Sequence, residues 1–169
     1  MNKAKKMFFK WVLGIAFALS IVYGLFSAFR QDEKQISWNS FSIQGAEHIP
    51  VGTSHPEYNS NPPTSGWHYA EEAEWGAHQE ELPDERLIHN LEHGGIWIAY
   101  KGIDDATKTA LEKIARSHSK VVVEPRSKND APIAVSSWGK QQKFQILDES
   151  ALLNFIKANS NKSPEPFAQ

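Results

Sequence analysis

The chain has 169 residues, 18 Lys and Arg against 20 Asp and Glu, and no cysteine, which excludes disulfide staples, thiolate nucleophiles and thiolate metal ligands. Charge is unevenly spread: five basic and no acidic residues lie in 1–30, so residues 31–169 carry a formal −7. An acidic remainder argues against nucleic acid as a partner, because that binding depends on neutralising phosphates.

Lys3, Lys5, Lys6 and Lys10 precede a 19-residue stretch without a charge, WVLGIAFALSIVYGLFSAF at 11–29. At ~1.5 Å per residue a helix of that length spans about 28 Å, close to the ~30 Å hydrocarbon core of a bilayer. The stretch exceeds the ~7–15-residue apolar region of a cleaved signal peptide, and no clear small-x-small cleavage site follows it. Residues 1–30 therefore read as a cytoplasmic basic start and one uncleaved transmembrane helix, with the C-terminal domain extracytoplasmic. Residues 31–40 read as a polar linker and 41–158 as one domain, a size that supports its own core. Residues 159–169, with two prolines and little apolar content, should fray as a flexible tail.

Within the domain, 41–44 alternates apolar and polar residues and predicts a short strand. Residues 49–78 are loop-like, punctured by Pro50, Gly52, Pro56, Pro62, Pro63 and Gly66. Trp67, Tyr69 and Trp75 bring large apolar areas that need covering, so this loop should wrap over the core. His55, His68 and His78, with His48 just before, would thereby approach the next element. That element is a helix at 83–93, opened by Pro83, Asp84 and Glu85 and closed by Gly94 and Gly95. At about 100° per residue, Leu87, Ile88 and Leu91 fall on one side and His89, Glu92 and His93 on the other.

An apolar strand follows at 96–100, then a helix capped by Asp104 or Asp105, with Thr107, Ala110, Leu111, Ile114 and Ala115 in one stripe. Residues 121–123 are a β-branched strand. Strands at 133–138 and 142–147 should pair across Gly139 and Lys140, with Phe144 and Ile146 facing one way. Asp148 caps a last helix with Leu152, Leu153, Phe155 and Ile156 on its apolar face. Helices falling between strands predict an α+β domain with α/β-like layers, a small mixed sheet and about three helices.

Two blocks, YNSNPPTSGWHY at 58–69 and LPDERLIHNLEHGG at 82–95, resemble the signatures of a bacterial family catalogued as domain of unknown function 3105. The likeness runs from about residue 45 to 144, and Trp67 stands where proline is usual. The resemblance implies a bacterial envelope protein with a membrane segment or signal before the domain; it implies no activity.

Chemistry must come from the residues. Two histidines at i and i+4 with a carboxylate between them can hold a divalent metal, and equally can be the wet face of an amphipathic helix. His68, delivered by the proline-rich turn, is the candidate third ligand to His89 and His93, and Glu92 coordinates or orients a histidine. Such a set suits Zn²⁺ or Cu²⁺. The seven acidic residues of 71–85, with no basic residue among them, favour cation approach. No organic cofactor is expected. The alternative is a non-enzymatic envelope module that docks a protein partner through its aromatic loop. A metal-dependent hydrolase ranks lower: His89-x-x-Glu92-His93 matches the order of inverted zinc peptidases, but those are far larger and take a later glutamate as third ligand.

Overall fold

The computed structural model describes residues 10–12, 14, 15, 19–23 and 37–167. The chain divides into two units, Met1–Ile36 and Ser37–Gln169. Much of the predicted membrane stretch lies outside the described residues; among those described, no helix is long and apolar enough to cross a membrane.

The second unit is built on a six-stranded mixed sheet. Its strands are β1 (Asn39–Ser40), β2 (Gly76–Ala77), β3 (Ile96–Tyr100), β4 (Val121–Pro125), β5 (Ile133–Ser137) and β6 (Lys140–Phe144). Three helices accompany them among the described residues of this unit: α1 (Asp84–Glu92), α2 (Asp105–Ser117) and α3 (Glu149–Asn159). The spatial order is β1-β6-β5-β3-β4-β2. β2, β4 and β3 run parallel, while β5, β6 and β1 join antiparallel. This is the α+β class that the sequence predicts.

β3 is apolar at every position because both of its faces are covered. Ile96, Ile98 and Tyr100 join Val121, Val123, Ile133 and Val135 beneath Leu111 and Ile114 of α2 and Leu152, Phe155 and Ile156 of α3. Trp97 and Ala99 point the other way, with Val122, into a smaller core closed by Leu87 and Leu91 of α1. Both long helices carry the expected caps: Asp104 accepts from the Thr107 amide at 2.7 Å and Asp148 from the Ala151 amide at 3.0 Å.

Three local expectations differ from the structure. The first strand lies at Asn39–Ser40 rather than 41–44. The Phe41 amide bonds to the Gly139 carbonyl in the β5–β6 turn, just before β6 begins, so pairing with β6 stops at Ser40. β6 likewise stops at Phe144, so Phe144 is buried while Ile146 is 85% exposed. The segment after α3 is laid against α1: the Asn161 amide donates to the Gly94 carbonyl at 2.8 Å and the Glu165 amide to the Glu92 carbonyl at 3.1 Å.

The long loop does wrap over the core. Gln141 of β6 donates to the Pro62 carbonyl at 2.8 Å, and the Gly139 amide to the Thr64 carbonyl at 3.0 Å. The Asn61–Pro62 peptide is cis. The other end of the loop is held by α1, and there the histidines meet.

Candidate metal centre

Helical spacing sets His89, Glu92 and His93 on one face of α1. That face is not wet; all three residues are buried. The covering segment is 66–73, fixed to the helix by several hydrogen bonds. The Tyr69 carbonyl accepts from His89 Nδ1–H at 2.6 Å. Asn90, itself buried, accepts from the Ala73 amide and donates to the Ala73 carbonyl, each at 2.9 Å.

His68 enters from this segment through a parallel bridge to His48. The Ile49 amide donates to the His68 carbonyl at 2.8 Å and the His68 amide to the Glu47 carbonyl at 3.1 Å. The His68 ring is fully buried and lies between two oxygens: Gly66 carbonyl at 2.7 Å from Nδ1, and Glu92 Oε2 at 2.9 Å from Nε2. Glu92 Oε2 is also 3.5 Å from His48 Nε2. On the helix itself, His89 Nε2 and His93 Nε2 stand 2.9 Å apart.

The electrostatics follow from the burial. Desolvation holds the His68 imidazole below the usual histidine range and outweighs the opposing pull of the Gly66 carbonyl and Glu92. Desolvation, then the neighbouring His89, lowers His93 as well. His68 and His93 therefore favour the neutral ring, the protonation state that metal ligands need.

Two groups of three have ligand atoms within 4.8 Å of one another: His48 with His68 and His89, and Glu72 with His89 and His93. The predicted residues His68, His89, Glu92 and His93 thus all lie in one place, but His68 and His93 fall in different close groups that share His89. Sequence reasoning missed Glu72 as a partner of the pair, and Glu165, whose Oε2 is 3.8 Å from His93 Nε2. Glu72 sits in the acidic run that predicts cation attraction. Nothing in the local pattern of 160–167 marks Glu165, since its position depends on how that segment returns to α1.

A loop that brings histidines over a helical His–Glu–His face, on one side of a mixed sheet, defines a small α+β domain with a buried histidine–carboxylate cluster. Residues 50–169 match the model of the family described as protein of unknown function (DUF3105), and the chain belongs to that family. No curated protein and no solved structure matches it.

Proposed function

We propose that this is a membrane-tethered extracytoplasmic domain that binds a divalent cation, Zn²⁺ or Cu²⁺, through its histidine cluster. The observation that carries the reading is the position of His68 between two acceptors. A neutral imidazole has one N–H, so it satisfies either the Gly66 carbonyl or Glu92 and sets a lone pair against the other. The imidazolium would satisfy both, but burial disfavours it. With Nδ1–H on Gly66, a cation at Nε2 turns the clash into coordination, and Glu92 becomes its neighbouring ligand or its charge partner. Tyr69 already takes His89 Nδ1–H, so His89 Nε2 turns a lone pair toward His93 Nε2, which either meets it with an N–H or, as a second lone pair, shares an ion with it. Two nitrogens on a tetrahedral zinc stand about 3.3 Å apart, from Zn–N bonds of ~2.0–2.1 Å, so a small opening of the 2.9 Å pair suits them to one ion.

Hydrolysis is the weaker reading. In the inverted-peptidase arrangement the motif glutamate works on a metal-bound water, whereas Glu92 Oε2 is engaged by His68 and His48. The tether and the extracytoplasmic placement rest on the lysines and the uncharged stretch at 11–29.

The test is titration of the full-length chain in detergent with Zn²⁺ and, separately, Cu²⁺, beside His68→Ala. A cation bound only by the folded state adds about 2.7 kcal/mol of stability at a hundred times its Kd. The parent should melt higher with metal, and the variant should lose that increment. A parent whose melting ignores both cations sinks the proposal.

A further inference from the structure

We infer that the cluster holds a single ion exchanged between two overlapping ligand sets, His48–His68–His89 and Glu72–His89–His93, with His89 as the ligand common to both. This rests on the metal reading above. The inference turns on the valence of His89. Its Nδ1–H is tied to the Tyr69 carbonyl at 2.6 Å, which leaves one lone pair, at Nε2. One lone pair bonds one ion, yet His89 belongs to both close groups. Two ions therefore cannot occupy the two sets together while that hydrogen bond stands.

The remaining ligands divide around His89. On one side are His68, with Glu92 at 2.9 Å, and His48, whose side chain is 49% exposed. On the other are His93 and Glu72, with the half-exposed carboxylate of Glu165 3.8 Å from His93 Nε2. Each side thus pairs a buried imidazole with a group that reaches solvent. The ring planes set His48 apart from the other two imidazoles. His89 is nearly perpendicular to His68 (74°) and His93 (89°), the arrangement in which in-plane lone pairs can converge on one point. It is nearly parallel to His48 (12°), so His48 must turn to join His89 on an ion, and its exposure gives it room to do so. An ion held this way passes by stepwise ligand replacement from one exposed end to the other. That suits a domain that takes up and hands on a cation better than one that locks it for structure.

Copper provides the readout, because the Cu²⁺ electron paramagnetic resonance spectrum reports its nitrogen and oxygen ligands. The full-length chain would be loaded with Cu²⁺ alone, and its stoichiometry and spectrum compared with those of His48→Ala and His93→Ala. Circular dichroism would verify that each variant is folded, and Glu72→Gln would serve as a milder probe of the second set. The expected result is one ion per chain and a parent spectrum that is the sum of two components. His48→Ala should lose one component; His93→Ala and Glu72→Gln should each deplete the other. Two ions per chain, or a single component whichever variant removes it, overturns the inference while leaving metal binding intact. A parent that binds no copper and no zinc removes the reading on which it rests.

Discussion

His68 Nε2 and Glu92 Oε2 face each other across 2.9 Å although 24 positions separate them in the chain. The loop bridge at His48 and the helix at Asp84–Glu92 are both needed to make that contact. Between a buried imidazole and a buried carboxylate something positive must sit, either a proton or a metal ion. Because burial opposes the imidazolium here, a metal bound at this place would meet less proton competition than at an ordinary histidine site.

That difference predicts a pH dependence. A histidine of ordinary pKa is already half protonated at about pH 6.5. His68 and His93 are both lowered, so their nitrogens stay unprotonated further into acid. Zinc affinity, followed by calorimetry from pH 7.5 downwards, should therefore fall less steeply than proton competition at ordinary imidazoles would make it. The metal-free fold should behave consistently. A depressed histidine contributes stability above the unfolded pKa, which is lost as pH falls through the folded value. An affinity that falls over this range as steeply as ordinary imidazoles would dictate contradicts the protected-ring argument.

Glu124 supplies a dependence of opposite sign. It is buried on the Trp97 side of β4, where Oε1 accepts from Trp97 Nε1–H at 3.1 Å and Oε2 from the Leu82 amide at 2.6 Å. Burial pushes its carboxyl up to about 8, against the lowering effect of those two donors. The group is therefore protonated in the folded chain at neutral pH and ionised in the unfolded one. Its stabilising contribution is present below the unfolded value of 4.5 and is lost as pH rises through about 8. The loss should be on the order of a few kcal/mol, each pKa unit being worth about 1.4. Urea midpoints at pH 5, 7 and 9 should fall for the parent and flatten for Glu124→Gln. Parallel curves for the two proteins would show that Glu124 does not titrate as described.

Arg126 makes a third prediction. Its guanidinium grips Asp84 through Nε (2.7 Å) and Nη2 (2.8 Å), gives Nη1 to Asn61 and Asn129, and lies 5.6 Å over the Trp97 ring. Arg126→Met leaves a largely buried carboxylate, its side chain 12% exposed, and two amide oxygens without their donor, a loss of about 3 kcal/mol. Arg126→Lys should recover little, since an ammonium cannot reproduce the two-toothed grip. Arg126→Met with Asp84→Leu should be more stable than Arg126→Met alone, because no orphaned charge remains. Denaturant melts of the four proteins test this, and a double variant no better than the single one refutes it.

These residues also show what could be read from the chain beforehand. Strands β3 and β4, helices α2 and α3 and their aspartate caps follow from local periodicity, and all are present. The face of α1 was ambiguous for a physical reason. His89, Glu92 and His93 are polar at helical spacing whether they meet water or a covering loop, and only the return of residues 66–73 decides it. His48 was expected to draw near, whereas its pairing with His68 is a backbone bridge with no side-chain signature. Glu124 and Arg126, beside a β-branched strand, look like ordinary surface charges. Their burial comes from the loop and from α1, which lie far from them in sequence.

Asn90 is the clearest case of a residue that sequence alone leaves anonymous, and it carries the last prediction. It lies between His89 and Leu91 on α1, fully buried, with both ends of its amide on Ala73. Asn90→Ala strips the Ala73 amide and carbonyl of partners in a place water does not reach. An unsatisfied buried group costs about 1–3 kcal/mol, so the variant should lose roughly 2–5 kcal/mol. The loss should also extend to the metal. Ala73 follows Glu72, and releasing its backbone frees the carboxylate that stands near His89 and His93. Hydrogen exchange should show faster amide exchange at 70–74 in the variant, with zinc affinity reduced although no ligand has been replaced. Asn90→Asp, which keeps the acceptor for the Ala73 amide but loses the donor, should fall between. If Asn90→Ala melts earlier yet binds zinc as the parent does, the clamp supports the fold alone and Glu72 is not held by it.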